Sequence, residues 1–115
     1  MSNDCIFCKI IEGTIPSNKV YENDYVLAFR DISPEAPVHV LMIPKKHIPS
    51  VMHVEETDMV YIQQIHLAAQ KIAQELGVAE TGFRLVNNCG DEGGQTVHHL
   101  HYHLLGGRNL QWPPG

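Results

Sequence analysis

Between Met59 and Leu76 apolar side chains recur at intervals of three and four: Met59, Ile62, Ile65, Ala69, Ile72, Ala73 and Leu76. Gln63, Gln64, Gln70, Lys71 and Gln74 take the other side. That period is one long amphipathic helix, with Gly77 as its C-terminal stop. Elsewhere the apolar residues come in short β-forming runs: Lys19–Glu22, Tyr25–Arg30, Val38–Ile43, Phe83–Cys89 and Val97–Leu105. Two prolines make residues 31–37 a loop, Pro44 and Pro49 bracket another, and Gly90–Gly94 is a third. A short helix is expected at Cys5–Glu12, capped by Asp4, ended by Gly13, with Ile6, Ile10 and Ile11 inward. The fold class is α+β: a mainly antiparallel five-stranded sheet with the long helix on a face. The 115 residues hold no repeat or linker and read as a single domain, 1–115.

Charge narrows the partners. The formal net charge of −5 offers no basic face for nucleic acid. No apolar run approaches the roughly 18–20 residues of a membrane span, so no membrane partner is expected. The opening MSNDCIFCKIIEG lacks a basic stretch followed by a long apolar one, which argues against a signal peptide and for a cytoplasmic protein. Three cysteines, an odd count, argue against a disulfide scaffold. Cys5 and Cys8 form C-x-x-C, a spacing that serves zinc, redox exchange or plain packing on a short helix.

The segment Gly93–Gly107 reads GGQTVHHLHYHLLGG and holds four of the eight histidines. On a strand, His99, His101 and His103 share one face, Leu100, Tyr102 and Leu104 the other, and His98 falls out of the row. The first and third Cα atoms of such a row are roughly 13 Å apart. Zn–N bonds are about 2.0–2.1 Å, so three imidazoles on a straight strand do not converge on one ion. Distinct roles along the row fit better than a shared metal. The plain alternative is a solvated polar face. The adjoining Asn88–Thr96 stretch, rich in glycine, lets backbone N–H groups approach a phosphate, though the same stretch serves as a hairpin turn.

The string His99-Leu-His101-Tyr-His103-Leu-Leu105 resembles the signature of the histidine triad (HIT) family. Residues 31–39 (DISPEAPVH), 43–48 (IPKKHI), 93–96 (GGQT) and the tail with Trp112-Pro-Pro-Gly115 resemble its nucleoside-phosphoramidase, Hint-like branch. The resemblance implies a homodimeric hydrolase that binds purine nucleoside monophosphates and cleaves the P–N bond of their phosphoramidates. His101 would be the nucleophile, forming a nucleotidyl-histidine. His103 would contact the phosphate, Gly94 and Gln95 would orient it through backbone N–H, and Thr96 would supply a hydroxyl near the leaving group. Asp31 would accept the ribose hydroxyls, Ile32 and Phe29 would form the base slot, Asn88 would lie near the sugar and phosphate, and His39 would support the triad. Trp112 belongs to the tail that shapes substrate choice. Family members with zinc hold it through residues matching Cys5, Cys8, His47 and His99, a closed S2N2 set that implies structural Zn2+. His53, His66 and His98 receive no role.

Two rivals stay open. One is a dinucleoside polyphosphate hydrolase or nucleotidyltransferase; transferase members carry glutamine at the place of His103. The other is a zinc-stabilised nucleotide-binding interaction protein without significant turnover.

Overall fold

The computed structural model describes residues 4–115. Its elements run α1 (Ile6–Glu12), β1 (Lys19–Glu22), β2 (Val26–Arg30), β3 (Val38–Pro44), α2 (Met59–Glu75), β4 (Phe83–Asn87) and β5 (Tyr102–Gly106), with two short 3-10 turns before α2. All strand pairs are antiparallel, and the sheet order is β1-β2-β3-β5-β4. No helix among the described residues is long and apolar enough to cross a membrane.

α2 forms where the period placed it. Ile65, Ala68, Ala69, Ile72 and Ala73 make its buried stripe. They pack on Val26, Ala28, Val40, Met42 and Leu104 from the sheet. Three alanines on that stripe bring the helix close to the strands. Met59, expected inward, is the first residue of the helix and is 52% exposed.

The opposite face of the sheet is covered as well. Leu27, Phe29, Leu41 and Ile43 pack there against Phe7, Cys8 and Ile10 of α1. The cap of α1 falls on Cys5 rather than Asp4: the Cys8 N–H donates to Cys5 Sγ at 3.3 Å. The inward set also differs from the expected one, since Phe7 and Cys8 are buried and Ile6 is 46% exposed. Gly13 ends α1 in the left-handed region (φ 86°), donating its N–H to the Ile10 carbonyl.

The last strand is shorter than the alternation implied. β5 begins at Tyr102, and His99 to His101 precede it as irregular chain. The ladder stops there for two reasons. Pro44, which the register would place opposite Leu100, has no N–H to give, and its carbonyl accepts from the His99 side chain (Nε2 at 3.0 Å). The Leu100 N–H donates instead to the Ile48 carbonyl at 2.6 Å, in the loop after β3. Parity survives within β5: His103 pairs with Leu41 on the α1 side, Leu104 with Val40 on the α2 side.

Candidate functional site

The histidine row lies beneath α1, not in solvent. His99 is fully buried and His101 is 5% exposed, which removes the reading of a solvated polar face. The Phe7 ring stands edge-on to both imidazoles, at 5.8 Å from His99 and 5.1 Å from His101, and touches Phe29 at 5.8 Å.

His101 is held by its own chain. Its Nδ1–H donates to the His99 carbonyl at 2.8 Å, so the lone pair resides on Nε2. That carbonyl's residue is tied in turn to β3 through Pro44. The Asn87 amide donates to the His101 carbonyl at 3.0 Å, fixing the peptide from the β4 side. Burial pushes the His101 pKa below the ordinary histidine value, opposed by the backbone hydrogen bond and the charge of Asp31.

His103 and His39 form a directed pair. The Glu35 N–H donates to His39 Nδ1 at 3.0 Å, so the His39 proton sits on Nε2. Nε2 lies 2.9 Å from His103 Nδ1, which accepts it. The remaining His103 proton is therefore on Nε2, at the far side of the ring. Burial holds the His103 pKa down at about 4, with His101 and His39 nearby adding to the effect. Asp31 Oδ2 lies 3.5 Å from His39 Nε2, while Oδ1 accepts the Ser33 N–H at 2.8 Å and sets the turn after β2. A metal shared by Asp31, His39 and His103 is disfavoured, because His39 would have to give up its Nε2 proton while Nδ1 is already an acceptor.

Beside this row opens a cleft of about 180 Å³. Phe7, Ile10, Phe29 and Leu41 wall it, with Asp31 and Ile32 at its edge. Ile32 is 98% exposed there. Ile10 was expected to face inward, and it does; Phe7 and Leu41 were not singled out from sequence, Phe7 because a seven-residue helix has too few turns to reveal its inward face.

The glycine loop is closed by Gln95. Its N–H donates to the Gly90 carbonyl and its Oε1 accepts the Gly90 N–H, each at 3.0 Å. Its side-chain amide donates to the Pro49 and Val97 carbonyls at 2.8 and 3.0 Å. The Gln95 and Gly94 N–H groups are thus already donated inside the loop, Gly94 to the Asp91 carbonyl. A Cβ at Gly93 would sit against the Cys89 carbonyl oxygen and 2.8 Å from its amide nitrogen. Thr96 is exposed just beyond. Asn88 is half-buried after β4, and Trp112 is 81% exposed in the tail.

Four further donors converge at the N-terminus of α1. Cys5, Cys8, His47 and His99 place one ligand atom each within 4.8 Å of one another. His99 Nδ1 is 3.3 Å from Cys5 Sγ and 3.7 Å from Cys8 Sγ. His47 Nδ1 is 3.3 Å from Cys8 Sγ and 3.1 Å from His99 Nδ1. Bond lengths typical of tetrahedral zinc place N and S ligands about 3.6 Å apart and two N ligands about 3.4 Å apart. The donor set fits such an ion. His99 also has the outer partner that metal-bound imidazoles use, since Nε2–H donates to Pro44 and leaves Nδ1 free to ligate. An ion pair of 2.7 Å between Lys46 and Asp58 steadies the loop that carries His47. Burial raises the Cys8 thiol to about 11 and lowers His99 to about 4; a divalent cation would reverse the first and reinforce the second.

The family model described as the HIT domain matches residues 12–110. This chain belongs to the HIT family. A crystal structure of a HIT family hydrolase from Legionella pneumophila Philadelphia 1 is 51% identical, with a TM-score of 0.95 over 97% of this chain and 100% of that one. A histidine triad protein from Clostridium difficile is 53% identical, with a TM-score of 0.93 over 96% of each chain. An uncharacterised HIT-like protein of Synechococcus elongatus is 50% identical over the full length of both. The sheet, long helix and short N-terminal helix of this HIT protein are those of its structural neighbours.

Proposed function

We propose that this HIT protein hydrolyses the P–N bond of purine nucleoside phosphoramidates through a nucleotidyl-histidine at His101. The observation that carries the reading is the orientation of His101. Its Nδ1–H is donated to the His99 carbonyl at 2.8 Å, so Nε2 is left as an unprotonated nucleophile. Its lowered pKa keeps the ring neutral near pH 7.

Nε2 attacks the α-phosphorus, an N–P bond forms, and the P–N bond to the amine breaks. The departing nitrogen takes a proton, and the Thr96 hydroxyl is the group for that side. Water then cleaves the His101–phosphorus bond to give the nucleoside monophosphate. The His103 Nε2–H supports the phosphate oxygens, and its tautomer is set by His39. Since the Gly94 and Gln95 N–H groups are engaged within the loop, these two residues contribute by shaping the phosphate cradle in this conformation. Asp31 Oδ2 receives the ribose hydroxyls. The base lies in the cleft of Phe29 and Ile32, with Asn88 on the sugar side. Two chains pair as a homodimer, and Trp112 in the tail acts on the partner's substrate rather than in its own cleft.

Cys5, Cys8, His47 and His99 would hold one Zn2+. Its shell is filled by these four, so it supplies structure and no chemistry. The setting is the cytoplasm.

The test is mass spectrometry of an acid-free quench after mixing with an adenosine phosphoramidate. A nucleotide adduct on the peptide bearing His101, and loss of at least a thousandfold in turnover on His101→Ala, are expected. Equal nucleotide release by His101→Ala refutes the mechanism.

A further inference from the structure

α1 serves two sites at once. Its first turn carries Cys5 and Cys8, which meet His47 and His99. Between and just beyond those cysteines, Phe7 and Ile10 line the cleft beside Asp31, and Phe7 stands against the His101 ring at 5.1 Å. A helix of seven residues is marginal alone. Phe7, Cys8 and Ile10 are the side chains it buries, and Cys8 belongs to the cluster. Beside the apolar contacts of Phe7, Cys8 and Ile10 with β2 and β3, the cluster ties α1 to two further segments: the loop after β3 through His47 and the chain before β5 through His99.

We infer that Cys5 and Cys8 are positioning residues for the base cleft: by tethering α1 to His47 and His99 they hold Phe7 and Ile10 in place as its wall. This rests on the nucleotide reading given above. The ligand side of the inference is simple. The wall of α1 is apolar and faces where a flat heteroaromatic base would lie, whereas Asp31, His103 and Thr96, assigned above to sugar and phosphate, belong to other segments of the chain. Loosening α1 thus costs base recognition and leaves phosphate recognition in place.

The experiment compares AMP with ribose 5-phosphate, which shares every group but the base. Affinities for both are measured by calorimetry on the full chain, zinc-loaded, chelator-stripped and re-loaded, and on Cys8→Ser. Hydrogen exchange is followed on the same samples. The loaded protein prefers AMP; stripping or Cys8→Ser lowers that preference about tenfold, which is about 1.4 kcal/mol. Ribose 5-phosphate affinity stays within twofold, and re-loading restores the preference. Exchange quickens in α1 while α2 and the sheet keep their protection. An AMP preference unchanged by stripping overturns the tether alone. Loaded protein that binds AMP no better than ribose 5-phosphate overturns the nucleotide reading of the cleft, and the inference with it. Loss of protection throughout α2 and the sheet overturns the tether too, since the cluster would then be a requirement of the whole fold.

Discussion

His39 is the residue whose removal tests the site's geometry most directly. It is 5% exposed, accepts the Glu35 N–H at 3.0 Å, and faces His103 Nδ1 at 2.9 Å. His39→Ala leaves one donor and one acceptor short of partners, at about 1–3 kcal/mol each, and opens a buried space besides. A loss of about 3–5 kcal/mol is expected, or a fall in Tm of about 12–20 °C for a domain of this size. The hydrogen bond itself is isolated by a double-mutant cycle with His103→Ala, read by urea unfolding of the four proteins. Because His103→Ala removes the same bond, the double variant loses about 1–1.5 kcal/mol less than the sum of the singles. Additivity within about 0.5 kcal/mol refutes the pairing, and with it the tautomer assigned to His103.

The remaining predictions concern the metal and the response to acid. Protein purified without chelator carries close to one zinc per chain by metal analysis; a content well under one refutes the structural ion. Burial holds His99 and His103 at about 4, while an unfolded histidine titrates near 6.5. Between those values the unfolded chain binds protons that the folded chain does not. Stability is therefore complete above about pH 6.5 and falls as pH drops toward 4, by up to about 1.4 kcal/mol per pH unit for each histidine. Urea midpoints that stay level from pH 7 to pH 5 refute this.

Much of the architecture was legible because its signals are local. α2 follows from a period maintained over 17 residues. Cys5, Cys8, His47 and His99 drew notice by their chemistry and their likeness to known members, and the fold brings them together. What escaped depends on contacts that no local pattern encodes. Phe7 was passed over because a helix of seven residues shows no reliable face. β5 starts late because Pro44, opposite Leu100 in the register, has no N–H to give and its carbonyl accepts from a side chain, His99. The alternating pattern is blind to that arrangement. Gln95 drew attention for its backbone N–H, yet its side chain closes the loop by reaching Pro49, 46 residues away. Asn87, which steadies the His101 peptide, differs in nothing visible from its neighbour Asn88.

The glycines of the loop between β4 and β5 differ in a way that a saturation library would expose. Gly90 and Gly94 occupy φ of 74° and 79° with open space around an added Cβ. Their constraint is conformational, worth about 1–2 kcal/mol for most residues and less for asparagine, which tolerates the left-handed region. Gly93 is constrained by collision with the backbone of Cys89, whatever side chain follows the Cβ. Substitutions at 90 and 94 should accordingly form a graded series led by asparagine, whereas those at 93 should fail together. The shape of the series, more than its depth, then tells which glycine turns the chain and which one lets it pass close to itself.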